Sequence, residues 1–575
     1  MSLFAARSGL AFIFWIYVGG LSPASAYDGS VGGAESMDRP SARILHDPAR
    51  KPEPAPQGFG IPDHHSPEPA GAPPSVGSQR FFISRIEIQG NTVLPENELA
   101  ELLRPYAGRL VSVAELENVR QQLTHRLIER GYVNSGAIIA DDKPDRNGIL
   151  PVKIIEGRLS DVQVKGQGRL REGYIRNRLL GDPEQPLNLH DLQDRFQLLL
   201  ADNTLIKNMK GRLLPGETPG QSVLAVEVKP VAHPYRLSVF ADNQRPPSIG
   251  GEAFGTHAEL RNLLTLGDTL DFTFITGSGS DRYAGGVILP FNDWGSEAFF
   301  RFDESESVLI EKAVRSLNIE SRVHSLEGGV SHPFINTPRQ KLKLGVLLAL
   351  RENETSILGQ SFSFIPGQSS GHSQATVWRL FQDYAQRWQN HAFAFRSTFS
   401  AGMNALGATP ENKGQFPDSE FLAWLGQAQY AYKLTDAGAL LALHGTAQFS
   451  NEPLLPLERI AIGGLQTVRG YRENQLVRDE GYSISLELRY PVFGQDDFHG
   501  QRLALVPFMD YGQAWNKNGE TSTLHSAGIG FNWEYQLGRR ALAADLYYGY
   551  AINKPRPQFN NDIQDDGLHF RVSLD

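Results

Sequence analysis

The stretch "YSISLELRY", residues 482–490, sets the tightest constraint on this chain. Tyr482, Ile484, Leu486, Leu488 and Tyr490 alternate with Ser483, Ser485, Glu487 and Arg489. Side chains along a strand point alternately to its two faces, so one face is apolar and the other carries hydroxyls and charge. Ala527, Ile529, Phe531, Trp533 and Tyr535 repeat the pattern against Ser526, Gly528, Gly530, Asn532 and Glu534. Period two persists from Pro230 to the C-terminus. A soluble sandwich also alternates. A membrane barrel is favoured by the number of such segments, by aromatics at strand ends, and by Gly, Ser and charged residues on the second face, which suits a wet lumen. In lipid such a sheet must close, because an open edge would leave backbone groups unsatisfied. Candidate strands start near residues 235, 253, 268, 281, 296, 323, 339, 374, 391, 419 and 438, then near 481, 502, 524, 540 and 566. The expected fold is a membrane β-barrel of about 16 antiparallel strands, wide enough for an aqueous channel.

Composition narrows the function. The chain has 575 residues, 21% of them charged, with a net charge of −9. That balance supplies no basic field for phosphates, so nucleic acid is not an expected partner. There are no cysteines, which rules out disulfides and thiolate chemistry. Mean hydropathy is −0.32, unlike that of a helical membrane protein.

Arg7, the apolar run "LAFIFWIYVGGL" and the small residues Ala24 and Ala26 form a signal-peptide pattern over residues 1–26, with cleavage expected after Ala26. The run is far shorter than the ~20 residues of a membrane-spanning helix. Residues 27–79 are rich in proline and poor in apolar side chains, as expected of a periplasmic tether in a Gram-negative envelope. The "DHH" at Asp63–His65 falls there and is read as solvated, so no metal and no cofactor are expected.

Order begins at "FFISRIEIQGNTVLP", a strand with Ile86 and Ile88 on one face and a turn at Gly90-Asn91. Two helices should follow. Ser112 and Glu115 match a capping box, Leu116, Val119, Leu123 and Leu127 form a stripe, and Gly131 sits where a helix-ending glycine belongs. "YVNSGAIIADD" and "GILPVKIIEGRL" then read as paired strands, which completes a β-α-α-β-β unit over 80–157. The order repeats over 158–230, from "LSDVQVKGQGRL" through a helix bearing Leu192, Phe196 and Leu199 to "GQSVLAVEVKP".

This tandem resembles a pair of POTRA domains, the periplasmic modules of outer-membrane insertases and transporters. The likeness rests on element order, on the I-x-I-x-G-N-T pattern and on "GYVNSGA". The barrel, over 231–575, sharpens it. With strand one rising outward, the loop after strand eleven, around 455–480, emerges outside and contains "VRGY": Val468, Arg469, Gly470 and Tyr471. A later strand carries Phe508, Asp510 and Gly512 in F-x-D-x-G order. Both motifs are similar to those of the barrel-assembly and two-partner secretion superfamily, where the sixth loop folds back into the barrel. The resemblance implies that Arg469 offers its planar donor fork to Asp510 in the lumen, a geometry that suits a carboxylate.

Two modules behind a Pro-rich tether resemble the transporter half of a two-partner (type V) secretion system, of the hemolysin secretion and activation type. The implied partners are a large secreted β-helical exoprotein, outer-membrane lipid, and the barrel-assembly machinery for the chain's own insertion. An insertase, or a passive porin, is the alternative. Two features depart from the family pattern: the chain ends "FRVSLD" rather than on an aromatic residue, and 27–79 shows no clear plug helix. No enzyme is expected. "GQSSG" at 367–371 matches G-x-S-x-G, but a nucleophile elbow needs a helix after it, and "HSQATVWRLF" reads as a strand.

Overall fold

The computed structural model describes residues 80–139, 143–202, 205–231, 233–368, 370–410, 416–494, 500–517, 519–538, 540–553 and 562–575. The expected signal segment, the tether with its Asp63–His65 stretch, and any plug helix in it lie outside the described residues. Two compact units emerge, one holding the N-terminal modules and the other the barrel.

In the first module Arg85–Gln89 pairs in parallel with Ile149–Ile155, which pairs antiparallel with Gly136–Ile139. Helices Glu96–Leu103 and Val113–Glu129 complete it. The longer helix starts as its sequence dictates. The Ser112 hydroxyl accepts from the Glu115 amide at 3.3 Å, and Glu115 accepts from the Ser112 amide at 2.8 Å. It ends with Tyr132 N donating to Leu127 O and Gly131 N to Ile128 O, the paired bonds of a Schellman stop. Leu116, Val119, Leu123 and Leu127 are buried in the module's core. The expected single strand across residues 81–89 is broken at Ser84. Its first part, Arg80–Ile83, pairs instead with Arg109–Ser112, a strand that sequence reading did not mark. Ser84 N donates to Gly148 O at 2.7 Å and redirects the chain between the two pairings.

The second module repeats the plan. Arg158–Lys165 pairs in parallel with Gln221–Pro230, which pairs antiparallel with Ile206–Pro215. Both sheets therefore have first-last-middle strand order. Leu192, Phe196 and Leu199 on helix Leu189–Asp202 are buried in its core.

From Tyr235 onward sixteen antiparallel strands form a closed barrel, with a two-residue piece, Gln360–Ser361, added beside the seventh. The ring closes where strand sixteen, Leu568–Leu574, pairs with strand one, Tyr235–Asp242. Starts follow the alternation closely; strand six begins at Ile319 rather than near 323, and strand ten at Leu422 rather than near 419. Burial is inverted relative to a soluble protein. On strand twelve, Glu480–Phe493, Ser483, Ser485 and Glu487 are buried while Ile484, Leu486 and Tyr490 are exposed. Outward apolar and inward polar faces are what lipid outside and water inside select. Among the described residues no helix is long and apolar enough to cross a membrane; the crossing is made by strands. Gly371, which ends the G-x-S-x-G stretch, leads into strand eight, His372–Arg387, and not into a helix.

Candidate functional site

Strand eleven, Leu440–Ser450, and strand twelve are joined by a long segment that folds inward. Within it Ile460–Ile462 pairs with Leu476–Arg478 as a small hairpin. The tip is stiffened by its own bonds: Gly463 N donates to Thr467 Oγ1 at 2.7 Å, and Leu465 N to Glu473 Oε1 at 2.7 Å. Val468 is fully buried and packs in one cluster with Ile462, Tyr471 and Leu476 of the loop and Ala514 and Leu524 of the wall.

Arg469 follows, and this short stiff tip delivers it to the inner face of strand twelve and of strand thirteen, Gln501–Trp515. Its Nε donates to Asp510 Oδ2 at 2.8 Å and its Nη2 to Asp510 Oδ1 at 2.7 Å, a two-pronged contact. The Arg469 backbone amide also donates to Asp510 Oδ2, at 3.0 Å. Nη1 reaches Glu487 Oε1 at 2.6 Å, and Nη2 the Ser485 hydroxyl at 2.7 Å. Glu487 is held from its other oxygen by Arg489, at 2.8 and 2.9 Å. Two guanidiniums thus face two carboxylates in one buried cluster. The guanidinium carbon lies 3.6 Å from the Phe508 ring centre and 5.2 Å from that of Tyr547, so the cation is stacked as well as paired.

The remaining motif residues complete the fit. Gly470 has φ +89°, a conformation that favours glycine, and its amide donates to His569 Nε2 at 3.2 Å. The Tyr471 hydroxyl donates to His525 O at 2.9 Å and also contacts Asn553 Oδ1. At Gly512 a Cβ would stand 2.6 Å from the Ile462 side chain and 2.8 Å from that of Val468, so the glycine makes room for the loop. On strand thirteen, then, Phe508 stacks on Arg469, Asp510 pairs with it, and Gly512 admits Val468. All seven motif residues meet in one place.

Sequence reading singled out none of Ser485, Glu487, Arg489, Tyr547 or His569 as site residues. The first three were visible as the polar face of strand twelve, and two opposite charges two residues apart on an inward face are the signal that marks them. Tyr547 and His569 carried no such mark.

Comparison with known proteins adds the family. The model for haemolysin secretion/activation protein ShlB/FhaC/HecB matches residues 220–534, and that for the ShlB-type POTRA domain matches residues 81–157. The chain is 24% identical over 497 residues to the outer membrane transporter CdiB of Dickeya dadantii, covering 83% of each chain. It is 22% identical over 516 residues to the heme/hemopexin transporter protein HuxB of Haemophilus influenzae, covering 86% of this chain and 87% of that one. Its fold is similar to that of CdiB from Escherichia coli, with a TM-score of 0.67 at 21% identity over 88% of this chain and 92% of that chain. With a family match over more than half its length and a closed sixteen-stranded barrel, the chain belongs to the ShlB/FhaC/HecB haemolysin secretion/activation family, outer-membrane transporters of two-partner secretion with POTRA modules in the periplasm.

Proposed function

We propose that this transporter takes an unfolded, large β-helical exoprotein from its periplasmic modules through the barrel lumen to the cell surface, and that Arg469 anchors the sixth loop to Asp510 in the resting state. The observation that carries the anchor is the convergence on one buried arginine of Asp510, Glu487, Ser485 and the Phe508 ring. A buried cation held this way leaves the Asp510 carboxylate without its ionic partner when the loop departs, so the docked state is favoured until something replaces it. Capture by the modules is supported by their sheets. Among the described residues Gly136–Ile139 and Ile206–Pro215 each pair on one side only, which leaves edges to which an extended chain can add by main-chain bonds. The outward apolar face is assigned to outer-membrane lipid, and the chain's own insertion to the barrel-assembly machinery. No nucleotide-binding loop occurs in the sequence, so transport would draw on folding of the exoprotein outside.

The test is co-expression with the cognate exoprotein. Deleting residues 80–157 should abolish its appearance at the surface while the barrel stays inserted and resistant to SDS. Export at the normal rate would overturn the capture role.

A further inference from the structure

The same loop is held a second time, at a place no motif marks. Glu458 lies at the start of the inward segment, in the short turn Pro456–Glu458, and is buried. Arg379 Nη2 donates to both of its carboxylate oxygens, at 2.8 and 3.1 Å. Arg351 Nη1 lies 3.5 Å from Glu458 Oε1 and donates to the neighbouring Leu457 O at 2.8 Å. Glu327 stands between the two arginines, 3.2 Å from Arg351 and 3.5 Å from Arg379. These wall residues come from three adjacent strands: six, Ile319–Asn336; seven, Gln340–Ile357; and eight, His372–Arg387. Leu326, Val346, Trp378 and Leu380, on the opposite phase of these three strands, are exposed, which places Glu327 and the two arginines on the inner face.

The trio meets the loop through opposite charge. Two guanidiniums and one carboxylate of the wall gather around the one carboxylate that the loop brings, Glu458. At the loop tip the signs are reversed. There the loop supplies the cation, Arg469, and the wall supplies the carboxylates of Asp510 and Glu487, with Arg489 on Glu487. The two docking places are five strands apart around the ring, seven against twelve. At each place, withdrawing the loop takes a buried ionic partner away from charged wall residues, which is strongly disfavoured.

We infer that Glu458 is a second positioning residue for transport, a latch that with Arg469 pins the sixth loop across the lumen, so that opening requires both to be released. This rests on the reading of the lumen as the transport path. Its test reads the loop in the purified protein, without exoprotein, so that failure of that reading and failure of the latch can be told apart.

The chain has no cysteine, so Leu457→Cys provides a single thiol beside the latch. With Glu458 present it should react slowly with a membrane-impermeant maleimide. Adding Glu458→Gln should speed the reaction on the order of tenfold or more, since Arg379 and Arg351 then lose the loop's carboxylate. Glu458→Asp should restore most of the protection. Glu458→Gln should raise conductance in planar bilayers, and Arg469→Ala with Glu458→Gln should raise it beyond either change alone. Resistance to SDS, required throughout, separates an opened loop from an unfolded barrel. Where Glu458→Gln fails to insert, Arg379→Lys, which keeps the charge and loses the guanidinium, is read instead. Unchanged labelling and unchanged conductance in an SDS-resistant barrel would overturn the inference.

Discussion

Gly470 of the sixth loop and Gly549 of strand fifteen, Arg540–Ala551, stand backbone against backbone. A Cβ on Gly470 would come within 2.6 Å of Gly549 O, and one on Gly549 within 2.6 Å of Gly470 N. The loop lies on the wall at a distance no other residue permits. Gly549→Ala should therefore lift the loop tip and cost roughly 1–3 kcal/mol through overpacking. Gly470→Ala should cost more, because it adds strain at positive φ. The temperature at which the barrel loses SDS resistance should fall for both; an unchanged transition would contradict the close approach.

Arg469 and Asp510 should act as a unit. Arg469→Ala should impair export more than insertion, and breaking the buried pair should cost roughly 3–5 kcal/mol, less where lumen water reaches it. The double mutant with Asp510→Ala should lose less than the sum of the single changes, since the contact is already gone. Arg469→Lys should recover little, lacking both the fork and the flat face stacked on Phe508. Strictly additive losses in an export assay would show that the two residues do not cooperate.

The outward face should reject charge. Leu486 is exposed midway along strand twelve, so Leu486→Arg should destabilise the barrel by roughly 2–4 kcal/mol, whereas Leu486→Phe should be tolerated. Equilibrium unfolding in urea from lipid vesicles checks this. Equal stability of the two variants would place Leu486 away from lipid.

In the first POTRA module, the Glu115 carboxyl is lowered from 4.5 to about 2, first by the bond from the Ser112 amide and then by Arg109 at 2.7 Å. A depressed carboxyl stabilises the folded state above its ordinary value, and that contribution is lost as pH falls from about 4.5 towards 2. Hydrogen exchange of helix Val113–Glu129 in the full-length protein should accelerate across that window. Glu115→Gln should exchange faster at neutral pH and lose this part of the acid dependence; identical profiles for the two proteins would remove Glu115 from the account.

Much of the architecture was legible because it is written locally. Alternation along 482–490 announces a two-faced strand wherever it is placed, and a capping box at Ser112 starts a helix from four consecutive residues. Joining Arg469 with Asp510 drew on motifs known from relatives, not on spacing. The break at Ser84 was not legible, because a run of β-formers does not show which of two partner strands each half will choose.

The sequence alone determined the period-two alternation of the barrel region, the α/β order of the modules, and the chemistry available at "VRGY". Only the tertiary structure decided which residues surround that chemistry. His569 is 99 positions from Gly470, and Glu458 is 79 from Arg379. Such meetings depend on the register of every strand between and on closure of the ring, and a one-residue slip would turn the polar set to the lipid. The second hold on the loop stayed hidden for the same reason. Glu327, Arg351, Arg379 and Glu458 are ordinary charges in four separate segments, and they become a buried ionic cluster only once the barrel has brought three strands and a returning loop together.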